Sequence, residues 1–187
     1  MTAQIIDRQP IYDRWSKVTE ALLRLPNGAV ETRIVEDHGC AAAILLYNPE
    51  RRVALLVTQP RAPVLECGEA PVLEVVAGRA EHGSDEATAK AEALEEAGVM
   101  VRDVQLVATA WSLPAVSTER ISLFLAEYQD RDRIGLGGGA ATENECIEVV
   151  EIALTDLWAI MERGHLVDAK TLTLVQALKI RRPDLFS

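Results

Sequence analysis

Three glutamates in one short segment form the strongest chemical signal in the sequence. Glu92, Glu95 and Glu96 are spaced i, i+3 and i+4, so on a helix they share one face. Three carboxylates within one helical turn repel each other unless a cation compensates them, and carboxylate oxygens are ligands that Mg²⁺ prefers. The helix alone fits two interpretations, a solvated acidic face and a site for a divalent cation.

The segments on either side of these glutamates favour the metal site. Residues 84–97 contain neither Gly nor Pro, Ser84 is a suitable N-cap, and Gly98 supplies the stop, which together predict a helix. The apolar stretch LEVVAG precedes it and ends at Gly78. A strand end, a glycine and a group of hard oxygen ligands together suit Mg²⁺ and a pyrophosphate.

The remaining segments predict the elements that position this helix. Two loosely alternating segments, KVTEALLRL and AVETRIVED, flank the turn Pro26-Asn27-Gly28 and predict an N-terminal hairpin. The apolar segments AAAILLY and RVALLVTQ predict central strands that are buried on both faces.

The second half of the chain predicts more strands and then helices. The strand-like segments are DVQLVATAW, RISLFLAEY and CIEVVEIAL, and the helical ones are TDLWAIMER and AKTLTLVQALKI. This order lacks strict alternation of strands and helices. It therefore favours an α/β (α+β) fold, with helices covering a mixed sheet, over a doubly wound one.

Composition limits the classes of protein. The chain has 187 residues, 49% of them hydrophobic, which suits one domain with a sizeable core. A net charge of −10 argues against a nucleic-acid partner or an anionic membrane surface. No apolar run is long enough to span a bilayer, no signal peptide is recognisable, and the three cysteines form no ligand pattern. We infer a cytoplasmic protein with no nucleic-acid and no membrane partner.

The segment from Gly78 to Val99 resembles the Nudix box, G-x5-E-x7-R-E-U-x-E-E-x-G-U with U aliphatic. The E-U-x-E-E-x-G-U part is intact from Glu92 onward. The segment departs from the pattern in three ways: the spacing after Gly78 is one residue shorter, Ser84 stands where the first glutamate belongs, and Ala91 replaces the arginine. The shortened spacing is similar to that of the GDP-mannose pyrophosphatases of this superfamily.

The resemblance to the GDP-mannose and ADP-ribose pyrophosphatase branch extends over residues 36–180. It implies a Nudix-like mixed sheet sandwiched between helices. It also implies a division into an N-terminal hairpin over residues 1–36, exchanged between the subunits of a homodimer, and a Nudix hydrolase domain over residues 37–187.

The resemblance also implies a set of site residues. Glu92 and Glu96 ligate Mg²⁺ (or Mn²⁺) with the Ala77 carbonyl, and Glu95 shares a second ion or holds a metal-bound water. The branch carries a substrate-binding arginine and lysine, which correspond to Arg61 and Lys170, and Asp168 accompanies the lysine. From chemistry alone, Arg61 is equally well interpreted as a surface charge after Pro60.

An acidic element follows the glycine run Gly137–Gly139. By chemistry alone this run predicts only a flexible loop. The element TENEC resembles the branch's E-x-E-D-I element, with Glu143 and Glu145 at its glutamates. A carboxylate on a mobile loop can close over a substrate and accept a proton from the attacking water, so we assign Glu143 as the general base. Glu145 is then a metal ligand or the second candidate for the base, and Glu95 is the next.

The expected activity is Mg²⁺-dependent hydrolysis of a nucleoside diphosphate sugar to a nucleoside monophosphate and a sugar phosphate. GDP-mannose is the first candidate substrate and ADP-ribose the second. The replaced arginine and first glutamate motivate an alternative, a catalytically weak or inactive nucleotide-binding or regulatory domain on the same scaffold. An acidic interaction module with no site is a third class, which requires the Gly78–Val99 match to be accidental.

Overall fold

The computed structural model describes residues 2–80, 83–139 and 146–187. The chain forms two compact units. The first comprises the residues up to Ala41 together with Ala110–Ile121, and the second comprises Ala42–Thr109 and Ser122–Ser187.

The first unit is built on a three-stranded antiparallel sheet of β1 (Gln4–Asp13), β2 (Lys17–Arg24) and β3 (Val30–Asp37), in that order. The β2–β3 pair confirms the hairpin at the Asn-Gly turn, where Gly28 has a φ of +89° and the Asn27 side chain accepts from the Ala29 N–H at 3.0 Å. Strand β1 was not predicted, because every one of its residues is exposed and no burial pattern marks it.

A histidine in this unit joins residues that are distant in sequence. The two ring nitrogens of His38 lie 2.5 Å from Glu36 Oε1 and 2.9 Å from Glu119 Oε1, and the ring stacks on Trp15 at 5.5 Å between centroids. Burial lowers the pKa of His38, but the hydrogen bonds and charges of the two glutamates outweigh burial and raise it. Trp15 is 70% exposed, and the exchange of the N-terminal hairpin between subunits stays a prediction.

The second unit contains a seven-stranded sheet. Its main path runs in the order β10 (Glu148–Ala153), β5 (Val53–Thr58), β4 (Ala41–Asn48), β9 (Arg120–Glu127) and β8 (Gln105–Trp111). Two short strands complete it: β6 (Leu73–Glu74) pairs with β5, and β7 (Val76–Arg79) pairs with β4. Nearly all residues of β4 and β5 are buried, which confirms the prediction of central strands covered on both faces.

Four helices accompany this sheet in the described part of the chain: α1 (Ala62–Glu66), α2 (Asp85–Ala97), α3 (Leu154–Glu162) and α4 (Ala169–Arg181). The mixed α+β fold is thus confirmed. The strand predicted at LEVVAG is present as the two short strands β6 and β7, whereas the sequence did not reveal the short helix α1. Helix α2 contributes Ala89, Ala93 and Ala97, all fully buried, to the core that includes Ile44 and Phe124. Small side chains at i, i+4 and i+8 let this helix lie close to the sheet.

None of the helices in the described residues is long and apolar enough to cross a membrane.

Candidate active site

Helix α2 begins and ends as its sequence predicts. The Ser84 side chain accepts a hydrogen bond from the Ala87 N–H at 3.2 Å, and Gly98 ends the helix in the left-handed region with a φ of +69°. Ser84, which stands at the position of the pattern's first glutamate, therefore has a structural use as the N-cap. Lys90 forms an ion pair with Glu86 at 2.7 Å. This ion pair does not involve any of the three glutamates that the missing arginine would orient.

The three glutamates on α2 do not share one environment. Glu96 is 2% exposed, Glu92 is partly buried, and Glu95 is exposed. Among the described residues, no three or more His, Cys, Asp or Glu side chains converge on a possible metal position. Helical spacing puts the three carboxylates on one side of the helix, and packing against the sheet then separates their side chains.

Two of the three carboxylates lie against the backbone of strand β7. The Ala77 N–H donates to Glu96 Oε2 at 3.2 Å. A Cβ placed on Gly78 would be 1.8 Å from Glu92 Oε1, so glycine is required for Glu92 to approach the strand as it does. The predicted ligands Ala77, Glu92 and Glu96 are therefore brought together at the adjacent residues Ala77 and Gly78 of β7.

This donor set fits a divalent cation. Mg²⁺ usually keeps several of its waters and is held by one or two carboxylates, and Glu92 and Glu96 together with the Ala77 backbone supply hard oxygen atoms of that kind. The exposed Glu95 side chain has no described contact with this set. The structure assigns no position to Glu143 and Glu145, which lie outside the described residues.

Gly78→Ala is expected to displace the Glu92 carboxylate and leave the fold intact, because the atoms that must move belong to a flexible side chain. If Glu92 is a metal ligand, Mn²⁺ affinity should fall roughly 10- to 100-fold, measured by titration of the free-ion electron paramagnetic resonance signal. The companion variant Gly78→Ala/Glu92→Asp has a shorter side chain and should recover part of the affinity. An unchanged affinity in folded Gly78→Ala would contradict the assignment of Glu92.

A second cluster of charges surrounds Glu74, a residue that the sequence analysis did not select. Glu74 is 3% exposed and accepts from Arg61 in a bidentate arrangement, with Nε at 2.9 Å and Nη2 at 3.0 Å. Lys170 Nζ donates to the second oxygen of Glu74 at 2.5 Å and to Asp168 Oδ1 at 2.9 Å. The structure thus brings together the three predicted substrate-binding residues, Arg61, Asp168 and Lys170, around this buried carboxylate.

Pairing between short elements creates this cluster. Strands β5 and β6 are antiparallel with Val57 opposite Glu74 and Thr58 opposite Leu73, so Glu74 lies beside the end of β5, four residues before Arg61. Arg61 is the N-cap residue of α1, directly after the strand exit at Pro60.

The start of α4 supplies the other half of the cluster. Asp168 is its N-cap and accepts from the Thr171 N–H at 3.0 Å and from the Thr171 hydroxyl at 2.5 Å. The hydroxyl oxygen of Thr171, which is fully buried, accepts from the Val75 N–H at 2.7 Å. Because Val75 follows Glu74, this hydrogen bond fixes the beginning of α4, and with it Lys170, beside the buried carboxylate.

The pKa values of Arg61 and Glu74 are shifted in opposite directions by their mutual pairing. Burial lowers the pKa of Arg61, but the hydrogen bonds and charge of Glu74, with the charges of Glu96 and Asp168, outweigh burial and raise it. Burial raises the pKa of Glu74, and the hydrogen bonds and charges of Arg61 and Lys170 outweigh it and lower the pKa. Glu74, which binds both cations, is three residues from Ala77, which donates to Glu96, so the cations and the α2 carboxylates lie along one short segment of the chain.

The sequence contained a signal for Glu74 that the motif analysis passed over. In the stretch LEVVAG it is the only charged residue among apolar ones that enter a strand, and an acidic residue there is buried only if cations accompany it.

Sequence comparisons relate the chain to known enzymes. No family model matches the chain. It is similar to a GDP-mannose pyrophosphatase of Pectobacterium atrosepticum, with 35% identity over 183 residues that cover 95% of this chain and 94% of the relative. A GDP-mannose pyrophosphatase of Citrobacter koseri is 37% identical over 78% of this chain and 76% of its own length. One from Yersinia pestis is 38% identical over 80% and 76%, respectively.

A solved structure supports the fold. The chain superposes on the crystal structure of an ADP compounds hydrolase with a TM-score of 0.78, covering 98% of this chain and 96% of the other at 15% sequence identity.

Proposed function

Because the chain belongs to the GDP-mannose pyrophosphatase family of the Nudix hydrolases, we propose that it hydrolyses the pyrophosphate of a nucleoside diphosphate sugar. GDP-mannose is the first candidate substrate and ADP-ribose the second. The oxygen of a water molecule bonds to one phosphorus, the bridging P–O bond breaks, and a nucleoside monophosphate and a sugar phosphate leave. The water's proton passes to a carboxylate base, which we assign to Glu143.

The observation that carries this proposal is the location of Arg61 and Lys170 in the same site as Glu96. A guanidinium has five N–H donors and an ammonium has three, and each of these side chains uses two of its donors on carboxylates. The remaining donors are available to the oxygens of a diphosphate. Glu74 holds both cations in place, so they meet the substrate with their side chains already ordered.

The metal assignment rests on the carboxylates at β7. Glu92 and Glu96 with the Ala77 backbone would hold Mg²⁺, and Mn²⁺ has the same ligand preferences. Glu95, being exposed, is the residue we assign to a second ion or to a metal-bound water. When bound, the metal neutralises the diphosphate charge and polarises the phosphoryl oxygens.

Incubation of the wild-type protein with Mg²⁺ and a panel of nucleotide sugars tests the proposal. Coupling to a phosphatase makes the nucleoside monophosphate and sugar phosphate detectable as released phosphate. Turnover of GDP-mannose or ADP-ribose is expected, and Glu92→Gln/Glu96→Gln should lower it by at least about 10²-fold because both carboxylate charges at β7 are removed. Glu86→Gln is the matched control on the exposed side of the same helix and should keep wild-type activity.

The same assay decides between turnover and binding alone. Calorimetric binding of a nucleotide sugar without turnover would favour a nucleotide-binding domain, the function motivated by Ala91 and by the use of Ser84 as an N-cap. If the protein neither binds nor turns over any nucleotide sugar of the panel, both functions are contradicted.

A further inference from the structure

The C-terminal turn of α2 is completed by a segment far away in sequence. The last four carbonyls of a helix have no partner within it. Here the Val99 N–H donates to the Ala93 carbonyl and the Gly98 N–H donates to the Leu94 carbonyl, as in many helices that end at glycine. The carbonyls of Glu95 and Glu96 are satisfied differently: they accept from the N–H groups of Gly139 at 3.2 Å and of Gly138 at 2.8 Å.

The same segment also contacts the turn that follows the helix. The carbonyl of Gly98 accepts from the Ile134 N–H at 2.9 Å and from the Gly135 N–H at 3.1 Å. The Met100 N–H donates to the Asp132 carbonyl at 2.8 Å. The glycine run predicts a flexible loop, whereas in the structure Gly138 and Gly139 both donate hydrogen bonds to the end of α2.

Only glycine permits this approach at two positions. A Cβ on Gly137 would lie 2.2 Å from the Glu96 carbonyl oxygen, and a Cβ on Gly98 would lie 2.2 Å from the Gly135 carbonyl oxygen. Both obstacles are backbone atoms, which cannot rotate away as a side chain can. Gly137 also has a φ of +73°, in the region that favours glycine.

Glu96 is consequently held at both ends. Its carboxylate accepts from the Ala77 N–H, and its carbonyl accepts from the Gly138 N–H. We propose that the glycine segment Gly137–Gly139 is a positioning element of the metal site, which fixes the last turn of α2 so that the Glu96 carboxylate stays in contact with β7. This inference rests on the proposed function, because it gives the carboxylate pair the role of a metal site.

Gly137→Ala tests this inference, and Gly164→Ala is its matched control. Gly164 has nearly the same conformation, with a φ of +75°, but no atom lies within 4 Å of its added Cβ. Both variants acquire similar strain from a positive φ, and Gly137→Ala should lose additional thermal stability without metal because its Cβ meets backbone atoms. Only Gly137→Ala must also displace the Glu96 backbone, so only this variant should bind Mn²⁺ at least about tenfold more weakly.

Mn²⁺ binding is measured by electron paramagnetic resonance of the free ion at a temperature at which all variants are folded. Equal Mn²⁺ affinities in the wild type and Gly137→Ala would overturn the inference and leave the proposed function standing. If the wild type itself bound no Mn²⁺ and turned over no nucleotide sugar, the proposed function would fail and the inference with it.

Gly138→Ala keeps the inference falsifiable if Gly137→Ala does not fold. Gly138 has a φ of +107°, and the nearest atom to its added Cβ is the Ile147 carbonyl oxygen at 3.7 Å, an ordinary contact. Strain at the residue whose N–H donates to Glu96 should weaken Mn²⁺ binding relative to Gly164→Ala. Equal affinity in these two variants would count against the inference.

Discussion

Glu143→Gln is expected to lower kcat by about 10²- to 10⁴-fold and to leave substrate binding largely intact. Glutamine keeps the size and shape of the side chain but cannot accept a proton from water. The proposal follows from the resemblance of TENEC to the acidic element of the branch and from the occupation of Glu92 and Glu96 at β7. Steady-state kinetics on the preferred nucleotide sugar measures the effect.

Glu145→Gln is the internal comparison, since it changes a neighbouring carboxylate in the same element. If Glu143→Gln keeps the wild-type kcat and Glu145→Gln loses most of it, the general base is Glu145 rather than Glu143. If neither substitution lowers kcat, the base lies elsewhere, and Glu95, whose side chain is exposed, is the next residue to test.

Glu74→Gln is expected to lower the free energy of unfolding by about 3 kcal/mol, the lower end of the effect of removing one partner from a buried ion pair. The lower end applies because the Arg61 side chain is 40% exposed and regains water, and because Lys170 keeps Asp168 as a partner. Urea denaturation at pH 7 measures the change. Glu69→Gln is the control, an exposed glutamate nearby, and should change stability by less than about 0.5 kcal/mol.

The effect of Glu74→Gln depends on pH with a defined sign. The pKa of Glu74 is lowered in the folded protein, so its contribution is fully present above the ordinary value of 4.5 and disappears as the pH falls through the lower folded value. The stability difference between wild type and Glu74→Gln should therefore shrink below about pH 4.5. A difference that is constant from pH 7 to pH 3 would show that Glu74 does not act through its charge.

Kinetics of the same variant test whether Glu74 organises the cations. Loss of the carboxylate frees both Arg61 and Lys170 to take other rotamers, so the substrate must order them on binding. The KM for the nucleotide sugar should rise, with a smaller change in kcat. An unchanged KM would separate the stability role of Glu74 from the substrate site.

Much of the fold follows from local patterns in the sequence. The Asn27-Gly28 turn predicts the β2–β3 hairpin, and the apolar runs predict β4 and β5 as buried strands, because a fully covered strand needs no polar face. Strand β1 lacks such a pattern, since all its residues are exposed. The apolar stretch LEVVAG predicts a strand but not its division into β6 and β7, which pair with different neighbours, and the five-residue helix α1 is too short to show a period.

The candidate site, like the fold, was predictable from the sequence only in part. The spacing of Glu92, Glu95 and Glu96 on a capped helix is readable from the sequence, and the motif adds Gly78. The resemblance implied that Glu92 and Glu96 meet Ala77, but the spacing alone does not show which carboxylates reach β7, because this depends on how deeply the alanine face of α2 enters the core. The helical period gives the direction in which each side chain leaves the helix axis, whereas the burial of that side chain also depends on how far the axis lies from the sheet.

The sequence by itself determined the extent of α2, its N-cap at Ser84 and its stop at Gly98, since these depend on hydrogen bonds within a few residues. The resemblance outside the motif supplied the candidates Arg61, Asp168 and Lys170. Only the tertiary structure placed Glu74 between two of them, because Glu74 is 13 residues from Arg61 and 96 from Lys170. Likewise, only folding brings Gly138 to the carbonyl of Glu96. Contacts of this range are selected by the packing of whole elements, and no local propensity encodes them.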